Sequence, residues 1–109
     1  MTTLAPDGTN FTFSGPKTAP VVVLIHGLGL NKACWQWMIP DLEDSYRVLS
    51  YDLYGHGESS DPVTEPSLSL FSKQLKDLLD YCKIQKAVII GFSLGGMVAR
   101  RFAQDAPQK

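Results

Sequence analysis

Hydrophobic positions change their rhythm several times along the chain. Asn10 to Ser14 alternates polar and apolar residues, the pattern of a half-buried strand, and Gly15-Pro16 ends it. Val21 to Ile25 is apolar at every position, as in a strand covered on both faces, and His26-Gly27-Leu28-Gly29 closes it. Lys32 to Leu42 predicts a short helix with Trp35, Met38, Ile39 and Leu42 on one side. Asn31 is its candidate cap, and Pro40 works against its second half. Tyr46 to Tyr51 is the next strand, stopped by Asp52-Leu53-Tyr54-Gly55-His56-Gly57, and a polar loop with Pro62 and Pro66 follows. Leu68 to Cys82 places Phe71, Leu75, Leu78, Leu79 and Cys82 at helical spacing, with Ser67 or Ser69 as cap. Ala87 to Ile90 is a second unalternating strand, followed by Gly91 to Gly96 and a helix from Met97 to Asp105 that Ala106-Pro107 ends.

Helices alternating with strands buried on both faces imply crossover connections. The predicted fold is therefore α/β, a parallel sheet between two helical layers. In such sheets chemistry gathers at the carboxyl ends of the strands. The glycine clusters at 26–29, 55–57 and 91–96 all fall at such ends, so they are expected to meet along one rim.

Composition narrows the function classes. The chain has 109 residues, 44% hydrophobic and 19% charged, enough for one modest packed domain and not a disordered one. A net charge of −1 argues against a nucleic-acid partner. The longest apolar run, Val21 to Ile25, is too short for a bilayer, and the N-terminus carries no secretory pattern, so no membrane partner is expected. Cys34 and Cys82 lie in apolar periodic contexts and read as two reduced core thiols of a cytoplasmic protein. The two histidines and two cysteines show no metal-ligand spacing, and no organic cofactor is implied.

The most specific signal is Gly91-Phe92-Ser93-Leu94-Gly95, a G-x-S-x-G directly after a strand and before a helix. A serine in so sharp a turn has a strained backbone, and Gly91 and Gly95 remove the collisions that side chains would cause. Ser93 would then stand clear of the sheet at a helix N-terminus, where unpaired N–H groups stabilise negative charge. The bland alternative makes Gly91 and Gly96 packing residues and Ser93 a helix cap. A backbone N–H near His26-Gly27-Leu28-Gly29 is placed to face the elbow across the rim, and two converging donors would stabilise an oxyanion. A nucleotide-binding reading fails because Gly27-Leu28-Gly29 and Gly55-His56-Gly57 lack a third glycine and no Gly-Lys-Ser/Thr loop occurs.

Val21 to Gly29, Tyr51 to Ser59 and Ile90 to Met97, taken together, resemble the N-terminal part of an α/β-hydrolase-fold protein, over nearly the whole chain from about Asn10. The style is similar to esterases, enol-lactonases and carbon–carbon bond hydrolases. The resemblance implies Ser93 as nucleophile, the backbone N–H groups of Leu28 and Leu94 as oxyanion donors, and Gly91, Gly95 and Gly96 as the small residues of the elbow. It implies that His26, with Gly27, shapes the oxyanion loop and is not the base. It also implies a structural loop from Asp52 to Ser59, with Asp52 bonding nearby N–H groups.

A serine needs a base and an orienting carboxylate. In the family these follow the nucleophile, acid before histidine. Sixteen residues follow Ser93, with no histidine among them. Asp105 lies about 18 Å along the helix from the elbow, too far to serve. Residues 1–109 are thus expected to be a partial hydrolase domain that ends after the helix following the elbow: a fragment, a truncated frame or half of a two-piece enzyme. The Ala87–Ile90 strand would be an open apolar edge, suited to self-association or to a complementing C-terminal half. The expected substrate is a small acyl or carbonyl compound: an ester, lactone, thioester or activated carbon–carbon bond. The alternative is a non-catalytic module that associates through that edge. Trp35, Trp37 and Met97 are candidates for core or for a substrate pocket.

Overall fold

A computed structural model describes residues 3–62 and 65–105. Five strands form one sheet: β1 (Thr3–Leu4), β2 (Asn10–Ser14), β3 (Val21–Ile25), β4 (Arg47–Tyr51) and β5 (Val88–Gly91). Their order is β1-β2-β4-β3-β5. β4, β3 and β5 are parallel, whereas β1 and β2 are antiparallel additions, so the sheet is mixed with a parallel heart. The helices are α1 (Ile39–Leu42), α2 (Leu68–Tyr81) and α3 (Leu94–Asp105), with a 3-10 turn at Lys32–Trp35.

The unalternating strands are explained by two separate cores. On one face Val23, Ile25, Leu49 and Tyr51 pack under Leu75, Leu78, Leu79, Val98 and Phe102 of α2 and α3. On the other, Val22, Leu24 and Val48 meet Trp35, Ile39 and Leu42. Successive residues of β3 thus bury into opposite layers, each large side chain contributing about 1.5–3 kcal/mol. This is the three-layer arrangement that the periodicity predicts.

The segment Lys32–Leu42 differs from the single helix predicted. Asn31 does cap it, accepting from the Ala33 N–H at 2.9 Å. However, the 3-10 turn stops at Trp35 and α1 starts at Ile39, with Pro40 in its first turn, where a missing N–H is harmless. The break leaves Met38 exposed while Trp35, Ile39 and Leu42 reach the core. The cysteines are also corrected: Cys34 is exposed beside buried Trp35, and Cys82, just past the end of α2, is half-buried. Partial desolvation pushes both thiols up, so both stay protonated. Of the two candidate caps, Ser67 is the one used, accepting from the Leu70 N–H at 3.0 Å. α3 begins three residues earlier than predicted, because the elbow feeds directly into helical turns. The predicted stop at Ala106-Pro107 lies outside the described residues.

Candidate active site

Parallel pairing sets the rim. Ile25 lies opposite Tyr51 on one side and Gly91 on the other. The segments leaving β3, β4 and β5 therefore emerge side by side, as the spacing of the glycine clusters implies.

At the elbow, the Phe92 N–H donates to the Ile25 carbonyl at 3.0 Å, and the chain then reverses. Ser93 has φ +57°, a left-handed conformation that costs a non-glycine residue about 1–2 kcal/mol. The turn is held by the Gly95 N–H on the Phe92 carbonyl (3.0 Å) and the Met97 N–H on the Ser93 carbonyl (3.2 Å). A Cβ on Gly91 would lie 2.2 Å from the backbone of Gly95, and one on Gly95 would lie 2.1 Å from the Ile25 carbonyl oxygen. Neither position admits a side chain. Gly96 is different: a Cβ there meets ordinary contact distances, 3.4 Å at the nearest. The Ser93 side chain is exposed and its hydroxyl makes no hydrogen bond among the described residues. It stands at the N-terminus of α3, where the helix dipole favours negative charge and the Leu94 N–H donates no backbone hydrogen bond among the described residues.

The loop after β3 lies directly against this turn. A Cβ on buried Gly27 would sit 3.3 Å from Ser93 Cβ and 3.1 Å from the Phe92 ring. His26 anchors the loop from below. It is fully buried, its Nδ1–H donates to the Gly27 carbonyl (2.8 Å), and its Nε2 accepts from the Leu53 N–H (2.9 Å). Both ring nitrogens are occupied, so the ring is neutral and has no lone pair for a serine proton. Burial lowers its pKa, the Gly27 carbonyl opposes that, and nearby His56 adds to the lowering.

Asp52 secures the third segment. Its carboxylate accepts from the Lys32 N–H (2.7 Å) and the Glu58 N–H (3.0 Å), tying the loops after β3 and β4 together. Asp105 sits at the far end of α3, bonded to Ser72 and Arg101, and these two hold its carboxyl below the usual range.

Beside the elbow is a recess of about 410 Å³, bordered by Leu28, Leu94 and Met97 and, from the β4 loop and the start of α2, by His56, Leu68 and Phe71. Its walls come from four separate segments, and among their residues only Met97 stood out in the sequence as a candidate for a substrate pocket. Trp35 is core and Trp37 is almost wholly exposed, so neither lines it. His56 donates Nδ1–H to the Tyr54 carbonyl at 3.0 Å. Among the described residues no group of three or more His, Cys, Asp or Glu side chains could hold a metal ion.

A family model described as the alpha/beta hydrolase fold matches residues 20–109. The chain belongs to the α/β-hydrolase fold family. It is 37% identical to 3-oxoadipate enol-lactonase 1 of Acinetobacter baylyi, over 79% of this chain and 32% of that protein. It is also 37% identical to the pimeloyl-[acyl-carrier protein] methyl ester esterase of Vibrio campbellii, over 93% of this chain and 38% of the relative. A crystal structure of a hydrolase from Pseudomonas aeruginosa superposes with a TM-score of 0.90 at 32% identity, covering 99% of this chain and 42% of that one. The chain thus spans about a third of the length of these curated relatives and two fifths of that structure. Within this α/β-hydrolase architecture, no helix among the described residues is long and apolar enough to cross a membrane.

Proposed function

We propose that this chain carries the nucleophile half of a serine hydrolase acting on an ester, lactone, thioester or activated carbon–carbon bond. The observation that carries the reading is the left-handed backbone of Ser93, wedged between glycines that admit no side chain and backed by Gly27. A fold keeps such strain where an exposed hydroxyl must be aimed. In this reading the backbone N–H groups of Leu28 and Leu94 serve the carbonyl that Ser93 attacks, and neither donates a backbone hydrogen bond among the described residues. They are the donors for the oxyanion that forms when Ser93 Oγ adds to a carbonyl. For an ester, the Oγ–acyl bond forms, the alkoxide leaves and takes up the hydroxyl proton, and water then releases the acid and restores Ser93. The kinship with an enol-lactonase and a methyl ester esterase favours this bond class.

The base and its orienting carboxylate come from outside this chain in this reading. His26 has both nitrogens engaged. His56 follows β4, which β3 separates from β5, and its Nδ1–H is taken by the Tyr54 carbonyl. The missing groups would arrive with structure that pairs along β5, whose free edge is outermost in the sheet and whose Val88 is largely exposed. Its two free cysteines suit a reducing cytoplasm. The test is Ser93→Ala in the complete or reconstituted enzyme. Turnover is expected to fall by about 10³-fold or more, and unchanged turnover would reject the reading.

A further inference from the structure

We infer that the recess beside the elbow is the acyl subsite, and that it selects an unbranched or monocyclic apolar acyl group without a charged end. The inference rests on the assignment of Ser93 as nucleophile and adds to it a substrate class.

Position comes first. Leu28 and Leu94, the two residues assigned above as oxyanion donors, both wall the recess, and Leu94 directly follows Ser93. Met97, one helical turn beyond Ser93, continues that wall, and Leu68 and Phe71 close the far side. A carbonyl held between the two N–H groups therefore has the recess at its flank. Of the two groups on that carbonyl, the acyl chain stays bonded to Oγ through both half-reactions, whereas the alcohol must depart to solvent. A recess walled by apolar side chains serves the group that stays.

The chemistry of the walls sets the class. The polar side chains bordering the recess are almost all engaged elsewhere. Tyr54 donates its hydroxyl to Asp7, and Ser67 caps α2. His56 has its Nδ1–H on the Tyr54 carbonyl, and it leaves one nitrogen without a partner among the described residues. Among the described residues no lysine or arginine borders the recess. A carboxylate placed there would lose its hydration without a cation to replace it. A hydrocarbon chain would instead exchange water for Leu, Met and Phe contacts. A volume of about 410 Å³ holds a chain of several methylenes or one ring.

The test is a binding series on the isotope-labelled 109-residue chain, read by amide chemical shifts. The probes are methyl butanoate, methyl hexanoate, methyl octanoate and monomethyl succinate. Affinity is expected to rise roughly fourfold per added methylene until the recess is full, with shifts centred on Leu68, Phe71, Leu94 and Met97. Monomethyl succinate is expected to bind at least tenfold more weakly than methyl butanoate, its uncharged counterpart with the same four-carbon acyl length. Met97→Trp, at an exposed position, fills the recess and is expected to abolish the chain-length dependence. Equal affinity along the series, or monomethyl succinate binding as tightly as methyl butanoate, overturns the inference. So do shifts centred away from these residues. The wild-type series decides by itself if the tryptophan variant does not fold. None of these readouts needs Ser93 to react, so failure of the nucleophile assignment would appear separately, as turnover that survives Ser93→Ala.

Discussion

Two serines sit on the same rim and are treated in opposite ways. Ser59, in the loop after β4, donates its hydroxyl to the Asp52 carbonyl at 2.6 Å and accepts the Asn10 N–H at 2.8 Å. Its loop is closed further by Asp52 on two N–H groups and by Gln74, which bonds both the Tyr54 N–H and the Asp52 carbonyl. Ser93, two strands away, has an exposed hydroxyl without such bonds and a left-handed backbone. One glycine-bearing turn saturates its polar groups and the other withholds one from the fold. Glycine at a strand end therefore marks close approach in both loops, and the fate of the serine hydroxyl separates the brace from the proposed nucleophile.

The elbow depends on a backbone approach that has no give, and Gly95→Ala attacks it directly. The new Cβ would lie 2.1 Å from the Ile25 carbonyl oxygen, so α3 must move off β3. Alanine ordinarily favours a helix interior by about 1 kcal/mol over glycine. Here the expected outcome has the opposite sign, a loss of about 4 kcal/mol or more. The midpoint of urea unfolding measures it, and a stabilised variant would refute the close approach.

The β4 loop should fail through its hydrogen bonds instead. Asp52 is buried, and Asp52→Ala orphans the Lys32 and Glu58 N–H groups together. We expect a loss of about 3 kcal/mol, from two bonds to a charged group. Faster amide exchange at Lys32 and Glu58 should accompany it. Protection left intact at both amides would show that the brace lies elsewhere.

A smaller effect distinguishes the two loops by pH. His26 joins them, and its native pKa lies below the ordinary 6.5 because burial disfavours the cation. Below pH 6.5 the unfolded chain takes up a proton that the native ring refuses. Stability is therefore fully present above 6.5 and is lost as pH falls through the native value. Denaturant midpoints measured from pH 7.5 to 5 should decline in wild type, with a shallower decline in His26→Asn. Equal slopes would mean that other groups dominate.

Much of this was legible from residues alone, for physical reasons. A strand buried on both faces must be apolar at every position, so Val21–Ile25 announces the sheet. An elbow must carry small residues at fixed offsets, so Gly91 and Gly95 announce the turn. Strand β1 was invisible because two residues carry no period. Met38 and Cys34 were misplaced because a helical wheel assumes one uninterrupted helix, and the 3-10 turn before Pro40 rotates the register. The recess could not be read, since it exists only where four segments converge. Nor could the occupation of both His26 nitrogens, which depends on a carbonyl one residue away and an N–H at Leu53.

The smallest change makes the sharpest contrast between the two serines. Ser93→Gly removes a side chain that strains the backbone at φ +57°, at the cost of a more flexible unfolded chain. The strain relieved is about 1–2 kcal/mol and the added unfolded-state entropy about 0.5–1 kcal/mol, so a net gain of about 0.5–1 kcal/mol is expected. Ser59→Ala should move the other way, losing about 1–2 kcal/mol, because two bonds disappear. Thermal midpoints of the two variants, taken side by side, decide the matter. If Ser93→Gly also destabilised the chain, the hydroxyl would be a brace like Ser59, and the helix-cap reading of Ser93 would replace the nucleophile. A chain stabilised by losing that side chain keeps the strain at φ +57° without return to its folding, as the proposed nucleophile requires.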